Sequence, residues 1–546
     1  MKYICHILVI LFLALAVVQC DLIRTTEDQT SPDRYDPETL LNNIQLSTRD
    51  LFTEASLFGG EFTRMRYMFG DTYGSAYQPQ SFDSIYELAY TRIFNDIRNL
   101  RETAEIQNLP HHLNVASILQ AYTMILLVDF FGDMPYTQTI LGLEIISPAI
   151  DPAESIYEEA LKILDETIER METEDETGFI NTDLFFGSLN NAQAQKAAWI
   201  RTANTIKLKA YLNMGNADSF NELVNSGNII LESHHNFKFD YSASTQFAES
   251  RHPLFAANYI ALGTEYMANN YMNMLLNDKS NHIDRDPRIR YYFYRQWLDD
   301  PDPQLKICIN TTKPFHFEEN DAYCHLDEYY WGRDHLINDG IPPDGGFRTV
   351  PGVYPAGGLF DAGQGESVDQ NMGYRGAGFQ PILISPFTHF MIAEAEYTFN
   401  EDIDNARNSL EEAVRQSFQL VKSFGANQAD GENDAITQEV IDNYVEIVLN
   451  RWDSNPSDRL RNISKEYYLA LWPNGYEAYN LMRRTGYPNR ADYLQPAART
   501  SSPGNWYRTM LYPASLVNRN SNANQKSSTL VRTFWDTRGN ASEFNF

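Results

Sequence analysis

Val115 to Tyr136 reads VASILQAYTMILLVDFFGDMPY. Val115, Leu119, Tyr122 and Leu126 step by three and four, the spacing that lines one face of an α-helix. The run then stops. Gly132 tolerates the positive φ that a helix end needs, and Pro135 cannot continue the hydrogen-bond ladder. Asp129–Tyr136 therefore reads as a helix stop, architecture rather than ligand contact. The same periodicity spreads outward. Tyr86, Ala89, Ile93, Ile97 and Leu100 carry it upstream; Pro152–Thr173, with Pro152 near the first turn and acids after it, and Trp199, Ala203, Ile206 and Ala210 carry it downstream. It returns in Leu410, Ala413, Ser417 and Leu420, in Val440, Tyr444 and Ile447, and from Lys465 to Met482. These patterns predict a mainly α fold in which paired helices build a helical-repeat scaffold, although no tetratricopeptide consensus recurs.

From about 215 to 380 the periodicity fades. Asp299–Pro303, Ile341–Gly346 and Pro351–Gly358 are rich in turn formers. A long irregular insertion on a rigid frame is where binding residues usually sit. This one is crowded with rings: Tyr291, Tyr292, Phe293, Tyr294, Trp297, Tyr329, Tyr330, Trp331, Phe347, Tyr354 and Phe360. The whole chain holds 33 Tyr, 31 Phe and 7 Trp in 546 residues. Tyr, the commonest of the three, tolerates partial exposure because of its polar tip.

Charge excludes some partners. With 43 Lys and Arg against 73 Asp and Glu, the formal net charge is −30. Nucleic-acid affinity comes from cations displacing phosphate counterions, so no nucleic-acid partner is expected. An anionic membrane surface is an equally poor dock for the body of the protein. The N-terminus is different. Lys2 precedes an uncharged apolar stretch, Ile4 to Val18, of signal-peptide length. Cys20 follows it and resembles a bacterial lipoprotein processing site. Residues 1–19 are read as a signal peptide and 20–37 as a lipidated tether, with ordinary cleavage and an unmodified Cys20 as the alternative. No later segment is read as long and apolar enough to span a bilayer, so the lipid on Cys20 is the expected membrane contact. The remaining 38–546 is read as a single domain, with helical scaffold at about 38–214 and 380–500 and the loop-rich portion at about 215–380.

Cys308 and Cys324 are the two cysteines left for an exported protein. A disulfide between them would close a loop of about sixteen residues and contribute roughly 3 kcal/mol. The alternative, a metal held with His316 or His325, matches no standard zinc spacing. Acidic turns at Asp299–Asp302 and Asp430–Asp434 offer oxygen ligands for Ca²⁺ but lack the EF-hand spacing. They read better as solvated loops, and no cofactor is expected. Catalytic signatures are equally absent from the sequence. There is no GxSxG, HExxH or Walker loop and no dinucleotide fingerprint. His111 and His112 are adjacent and so point apart on a helix. A carboxylate pair for glycoside hydrolysis depends on spatial spacing that sequence does not give.

Several segments together resemble the SusD-like (SusD/RagB) family of Bacteroidetes outer-membrane nutrient-binding lipoproteins. They are Asp129–Tyr136, Asp286-Pro287-Arg288, Trp472–Asn480, Arg483–Pro488, Tyr507–Asn518 and Phe534-Trp535-Asp536. They occur in family order along nearly the whole chain. Tyr479 stands where Trp is common, and Gln19 departs from the usual small residue before the lipidated Cys. The resemblance implies a non-catalytic cell-surface lipoprotein with a tetratricopeptide-like scaffold and an irregular portion forming most of the ligand face. Such a protein binds oligosaccharide, sometimes peptide as in the RagB type, and delivers it to a SusC-type TonB-dependent barrel transporter. An exported all-helical glycoside hydrolase is the competing reading.

Sugars present apolar C–H faces edged by hydroxyls, so an aromatic plate flanked by Asn, Asp or Arg suits them. Two segments fit: Gly70–Pro79, with Tyr73 and Tyr77, and Asp327–Asp334, with Tyr329, Tyr330, Trp331, Arg333 and Asp334. Tyr354 is a further candidate. The competing reading of each ring is packing onto its own scaffold. Arg483 and Arg484 are expected to pair with buried acids rather than with a ligand.

Overall fold

The computed structural model describes residues 36–537, apart from 140–144, 174–179, 181, 246–249, 264, 278–284, 300–311, 320, 325, 339–346, 427–435 and 493. The signal stretch, Cys20, most of the tether, Cys308, His325 and most of the two acidic turns lie outside the described residues. Among the described residues no group of His, Cys, Asp and Glu could hold a metal ion.

Long helices occupy both ends of the chain. They run Pro37–Phe62, Phe94–Gln107, Pro110–Phe131, Ala153–Thr173 and Ala192–Met214, then Ser385–Thr398, Ile403–Gly425, Gln438–Ser454, Arg459–Ala470 and Gly475–Thr485. Neighbours pack in pairs, Pro110–Phe131 on Ala153–Thr173 and Ser385–Thr398 on Ile403–Gly425. The first helix is started by the Asp36 carboxylate, which accepts from the Thr39 amide at 3.1 Å, satisfying one orphan N–H. Between Ser226 and Phe379 the longest described helix is Asn269–Asn277. Two short antiparallel pairings tie this region down, Phe237–Asp240 with Phe379–Leu383 and Phe293–Tyr294 with Val350–Pro351.

Four expectations need correction. Pro110–Phe131 is long and apolar enough to cross a membrane, contrary to the sequence reading, yet 94% of its most apolar window is buried within the protein. Only Pro110 and Leu113 escape burial, so it is a central core helix enclosed on every side, not an amphipathic one. The stripe read at Val440 is displaced by one residue: Val440 is exposed, and Ile441, Tyr444, Val445 and Val448 face inward. The Lys465–Met482 pattern is two helices, because Pro473 interrupts the stretch between Ala470 and Gly475. Finally, the stripe from Tyr86 to Leu100 crosses a π-helical stretch, Leu88–Ile93.

The segments that carry the family resemblance meet inside. Asp129, fully buried at the end of the central helix, accepts from Tyr476 Oη at 2.6 Å, Asn480 Nδ2 at 2.8 Å, Trp535 Nε1 at 3.0 Å and the Tyr157 hydroxyl. Lys209 Nζ lies 3.4 Å from it and 2.7 Å from Glu477. Burial raises the Glu477 carboxyl, and the Lys209 ammonium opposes that rise. The apolar segment, the Trp472–Asn480 segment and the last dozen described residues are thus held by one carboxylate. As expected for architecture, Gly132 ends the helix with φ 69°, and its amide donates to Val128 O at 2.8 Å.

Asp286 and Arg288 make a second buried clamp. Arg288 Nε donates to Asp286 Oδ1 at 2.9 Å, Tyr444 Oη donates to Asp286 Oδ2 at 3.0 Å, and the guanidinium lies 4.5 Å from the Phe418 ring centre. Arg484 pairs with Glu394 through two hydrogen bonds of 2.6 and 2.9 Å, as expected. Arg483 does not follow: it donates to Arg508 O and Asn480 Oδ1 and stacks on Tyr479 and Trp535.

Candidate ligand-binding site

The two flagged loops, 70–79 and 327–334, come together. Leu336 N donates to Met68 O at 3.1 Å, and His335 Nε2 lies 3.2 Å from Tyr73 Oη. Segments from the C-terminal end back this junction: Ala498 N donates to His335 O at 2.8 Å, and Tyr73 N to Pro503 O at 2.9 Å. Locally, Thr72 caps a single helical turn, Tyr73–Ala76, by a reciprocal exchange with Ser75, which sets the loop's shape.

Most of the rings chosen from sequence are the roots of these loops, not their tips. Tyr73 is 1% exposed. Its hydroxyl accepts from Arg64 Nη2 at 2.9 Å, and its ring stands edge-on to Tyr507. Tyr330 and Trp331 are 1% and 4% exposed. Arg295 covers the Tyr330 ring at 4.8 Å and Arg348 the Trp331 ring at 4.5 Å. Tyr354 stacks on Tyr292 at 5.5 Å and is enclosed by Phe379 and Phe424. These four rings have no face open to a ligand, because the scaffold that holds the loops uses them as packing. Arg333 and Asp334 are buried too, Asp334 accepting from Asn269 Nδ2 and from the Cys324 amide. Tyr77 is half-buried against Phe58, Phe62 and Phe82, with its hydroxyl on Glu61. Burial lifts the Glu61 carboxyl to about 8. Tyr329 alone of the six has an open ring, 45% exposed on a backbone with φ 65°.

A different set of groups reaches the surface at the junction. Phe69 is 46% exposed. Two residues on, Asp71 Oδ1 lies 3.7 Å from Arg499 Nε, and Arg499 Nη2 donates to Asn338 Oδ1 at 2.9 Å. Phe69 thus stands two residues from a carboxylate that is linked to a guanidinium and, through it, to an amide. Tyr67, two residues before Phe69, belongs to a buried stack of rings and cations. Arg333 lies over Tyr67 and Tyr266, and Arg348 over Tyr266 and Trp331. Burial pushes the Tyr67 phenol up to about 12, so it stays neutral, and it donates to Ile337 O. Beside Arg348, Phe347 stacks on Trp297 with ring centres 5.8 Å apart and planes within 13°, each ring 42% exposed. Gln296 Nε2 donates to Arg348 O at 2.7 Å and Arg295 Nη1 to Glu328 O at 2.9 Å. These bonds draw the Trp297, Phe347 and Tyr329 segments together.

Aromatic faces beside fork-shaped donors and amide or carboxylate acceptors are the chemistry of polyhydroxyl recognition. Sequence reasoning found the two loops and Tyr329 but missed Phe69, Asn338 and Arg499 as site groups, and treated Trp297 and Phe347 only as part of an aromatic crowd. A usable signal was present. Phe69 precedes Gly70-Asp71, Trp297 lies just before the acidic, Pro-rich run Asp299–Pro303 and Phe347 follows Gly345-Gly346, so all three adjoin turn-forming residues in the sequence. Cys324 is disulfide-bonded, and its expected partner Cys308 lies outside the described residues.

Similarity to known proteins agrees with this architecture. A family model described as "Starch-binding associating with outer membrane" matches residues 28–306, just over half of the chain. A second, "Susd and RagB outer membrane lipoprotein", matches residues 383–539. No curated relative matches the chain. Among solved structures, a SusD/RagB family protein from Bacteroides thetaiotaomicron aligns over 93% of this chain and 100% of its own, at 15% identity and a TM-score of 0.65. A SusD homologue from Bacteroides fragilis aligns over 93% and 100%, at 17% identity and 0.61. A chitin-binding SusD homologue from Flavobacterium johnsoniae aligns over 92% and 98%, at 17% and 0.58. At such identities the structures speak for the fold, while the family models span both helical ends: the chain belongs to the SusD-like family of outer-membrane-associated proteins.

Proposed function

We propose that this protein is a non-catalytic surface lipoprotein that binds an oligosaccharide at the loop junction and delivers it to a SusC-type TonB-dependent barrel transporter. In this reading acylated Cys20 anchors it after removal of residues 1–19, and 20–37 is the tether. The helix pairs serve as a tetratricopeptide-like frame, and Cys308 with Cys324 staples the loop-rich portion. Family membership supports a general role in glycan binding and uptake. The observation that carries the specific reading is the half-open Phe69, which stands in the chain between Tyr67 of a buried ring-and-arginine stack and Asp71 of the Asp71–Arg499–Asn338 cluster. A rigid ring costs little entropy to present, and the fixed fork of Arg499 matches vicinal hydroxyls.

The test is calorimetric titration of the purified chain with a panel of oligosaccharides and, in parallel, peptides. Saturable binding to a glycan is expected, weakened about tenfold or more by Phe69→Ala, since losing a stacked ring is worth about 1–3 kcal/mol. Binding to peptides alone would transfer the function to the peptide-carrying class. Turnover of the glycan abolished by changing one acid would make the protein an enzyme.

A further inference from the structure

A cleft of about 800 Å³ lies in the helical scaffold, built by different residues from the loop junction. It borders the segment whose core side is Ile85, Ala89, Ile93, Ile97 and Leu100, all buried. Tyr86, Tyr90, Phe94 and Arg98 recur every fourth residue on another side of that segment and border the cleft. Tyr86 stacks on Tyr90 at 4.4 Å, Phe94 stands edge-on to Tyr90 at 5.3 Å, and Phe94 meets Tyr136 at 6.3 Å. All three rings on the segment are only partly buried. Each packs against the core and also borders the cleft. The backbone beneath passes through the π-helical stretch Leu88–Ile93, a distortion frequent where helices carry function.

The charged groups that line the cleft are Arg98, Arg101, Glu102 and Glu105. Arg98 Nη2 donates to Asn95 Oδ1 at 2.6 Å, and Arg101 Nη2 to Gln120 Oε1 at 3.0 Å. Gln120 Nε2 in turn donates to Tyr136 Oη at 2.8 Å. Both guanidiniums are thus oriented by neutral amides, and neither has an ion pair among the described residues. Glu102 and Glu105 are exposed on the rim, four positions after each Arg. That order, cation first, is the weaker one for a helix pair. Each guanidinium carries five donors, so the cleft offers a surplus of fixed N–H groups beside ring faces. We propose that this cleft is a second ligand site that takes a sugar unit bearing a carboxylate or sulfate group, its ring against Tyr86 and Phe94 and its anion on Arg98 and Arg101. Fork-shaped bonding of Arg to a carboxylate or sulfate is the strongest use of those donors.

Three probes separate the possibilities in calorimetric titrations of the whole chain: trigalacturonate, a sulfated disaccharide and neutral maltotriose. Whichever acidic probe binds identifies the anion. It should bind saturably and at least about tenfold more tightly than the neutral trisaccharide. Arg98→Gln with Arg101→Gln should weaken that binding about tenfold or more at an unchanged melting temperature. Tyr86→Ala, at a half-open ring, gives a second readout and should weaken it several-fold should the double variant fail to fold. Equal affinity for maltotriose, no binding of either acidic probe, or full affinity retained in these variants would overturn the assignment.

Discussion

Asp129 gives the sharpest handle on how this fold is held. Replacing it with Asn keeps the volume but removes the charge and turns one accepting oxygen into a donor. Oδ2 now receives Tyr476 Oη at 2.6 Å and Asn480 Nδ2 at 2.8 Å, with Lys209 Nζ at 3.4 Å, while Oδ1 receives Trp535 Nε1 at 3.0 Å and Tyr157. Whichever way the amide turns, two or more buried donors lose their acceptor. Each such loss costs about 1–3 kcal/mol, and breaking a buried ion pair costs about 3–5 kcal/mol. Glu477 remains 2.7 Å from Lys209 and offsets part of this, which leaves a net loss of about 3–5 kcal/mol. Unfolding entropy is about 2.1 cal/mol/K per residue, so roughly 500 ordered residues give about 1 kcal/mol/K. Differential scanning calorimetry should therefore show Asp129→Asn melting about 3–5 °C below the parent. A shift under about 1 °C, or a rise, would refute the claim that this carboxylate joins the two ends of the chain.

Gly475→Ala tests the helix crossing. A Cβ there would lie 2.1 Å from Ser56 O and from Gly60 N, so the helices must part, costing about 3 kcal/mol and visible as a lower urea midpoint. Glu61→Gln tests a buried acid. Burial holds Glu61 at about 8 against 4.5 when exposed, so the folded state keeps a proton that the unfolded state releases. Stability should then fall as pH rises from about 4.5 to 8, by up to about 1.4 kcal/mol per unit, and the Gln variant should lose that slope in denaturant titrations across the interval. Trp297→Ala removes one ring of the exposed stacked pair. It should weaken glycan binding several-fold in the same titration used for Phe69, with little change in melting temperature.

Periodicity made the helical ends legible because burial there follows the helix repeat. Trp199, Ala203, Ile206 and Ala210 all face inward as spaced. It failed where context outweighs period. The 110–131 helix is surrounded, so no polar face marks its orientation, and a Pro at 473 divides what reads as one helix. The site shows a different limit. Tyr73, Tyr330, Trp331 and Tyr354 have chemistry that suits a ligand, but the same large ring area makes them good packing for loops with little regular hydrogen bonding. Which rings stay open depends on contacts distant in sequence, such as Pro503 and Ala498 backing 68–73 and 335–336.

A glycan docking at the junction of the loops should protect the backbone there. Hydrogen–deuterium exchange of the chain with and without its tightest oligosaccharide tests this directly. Slowed exchange is predicted in 66–71, 295–297, 336–338, 347–349 and 497–499, with the buried helices unchanged. Protection absent from all five segments, or confined to surfaces elsewhere on the protein, would contradict it.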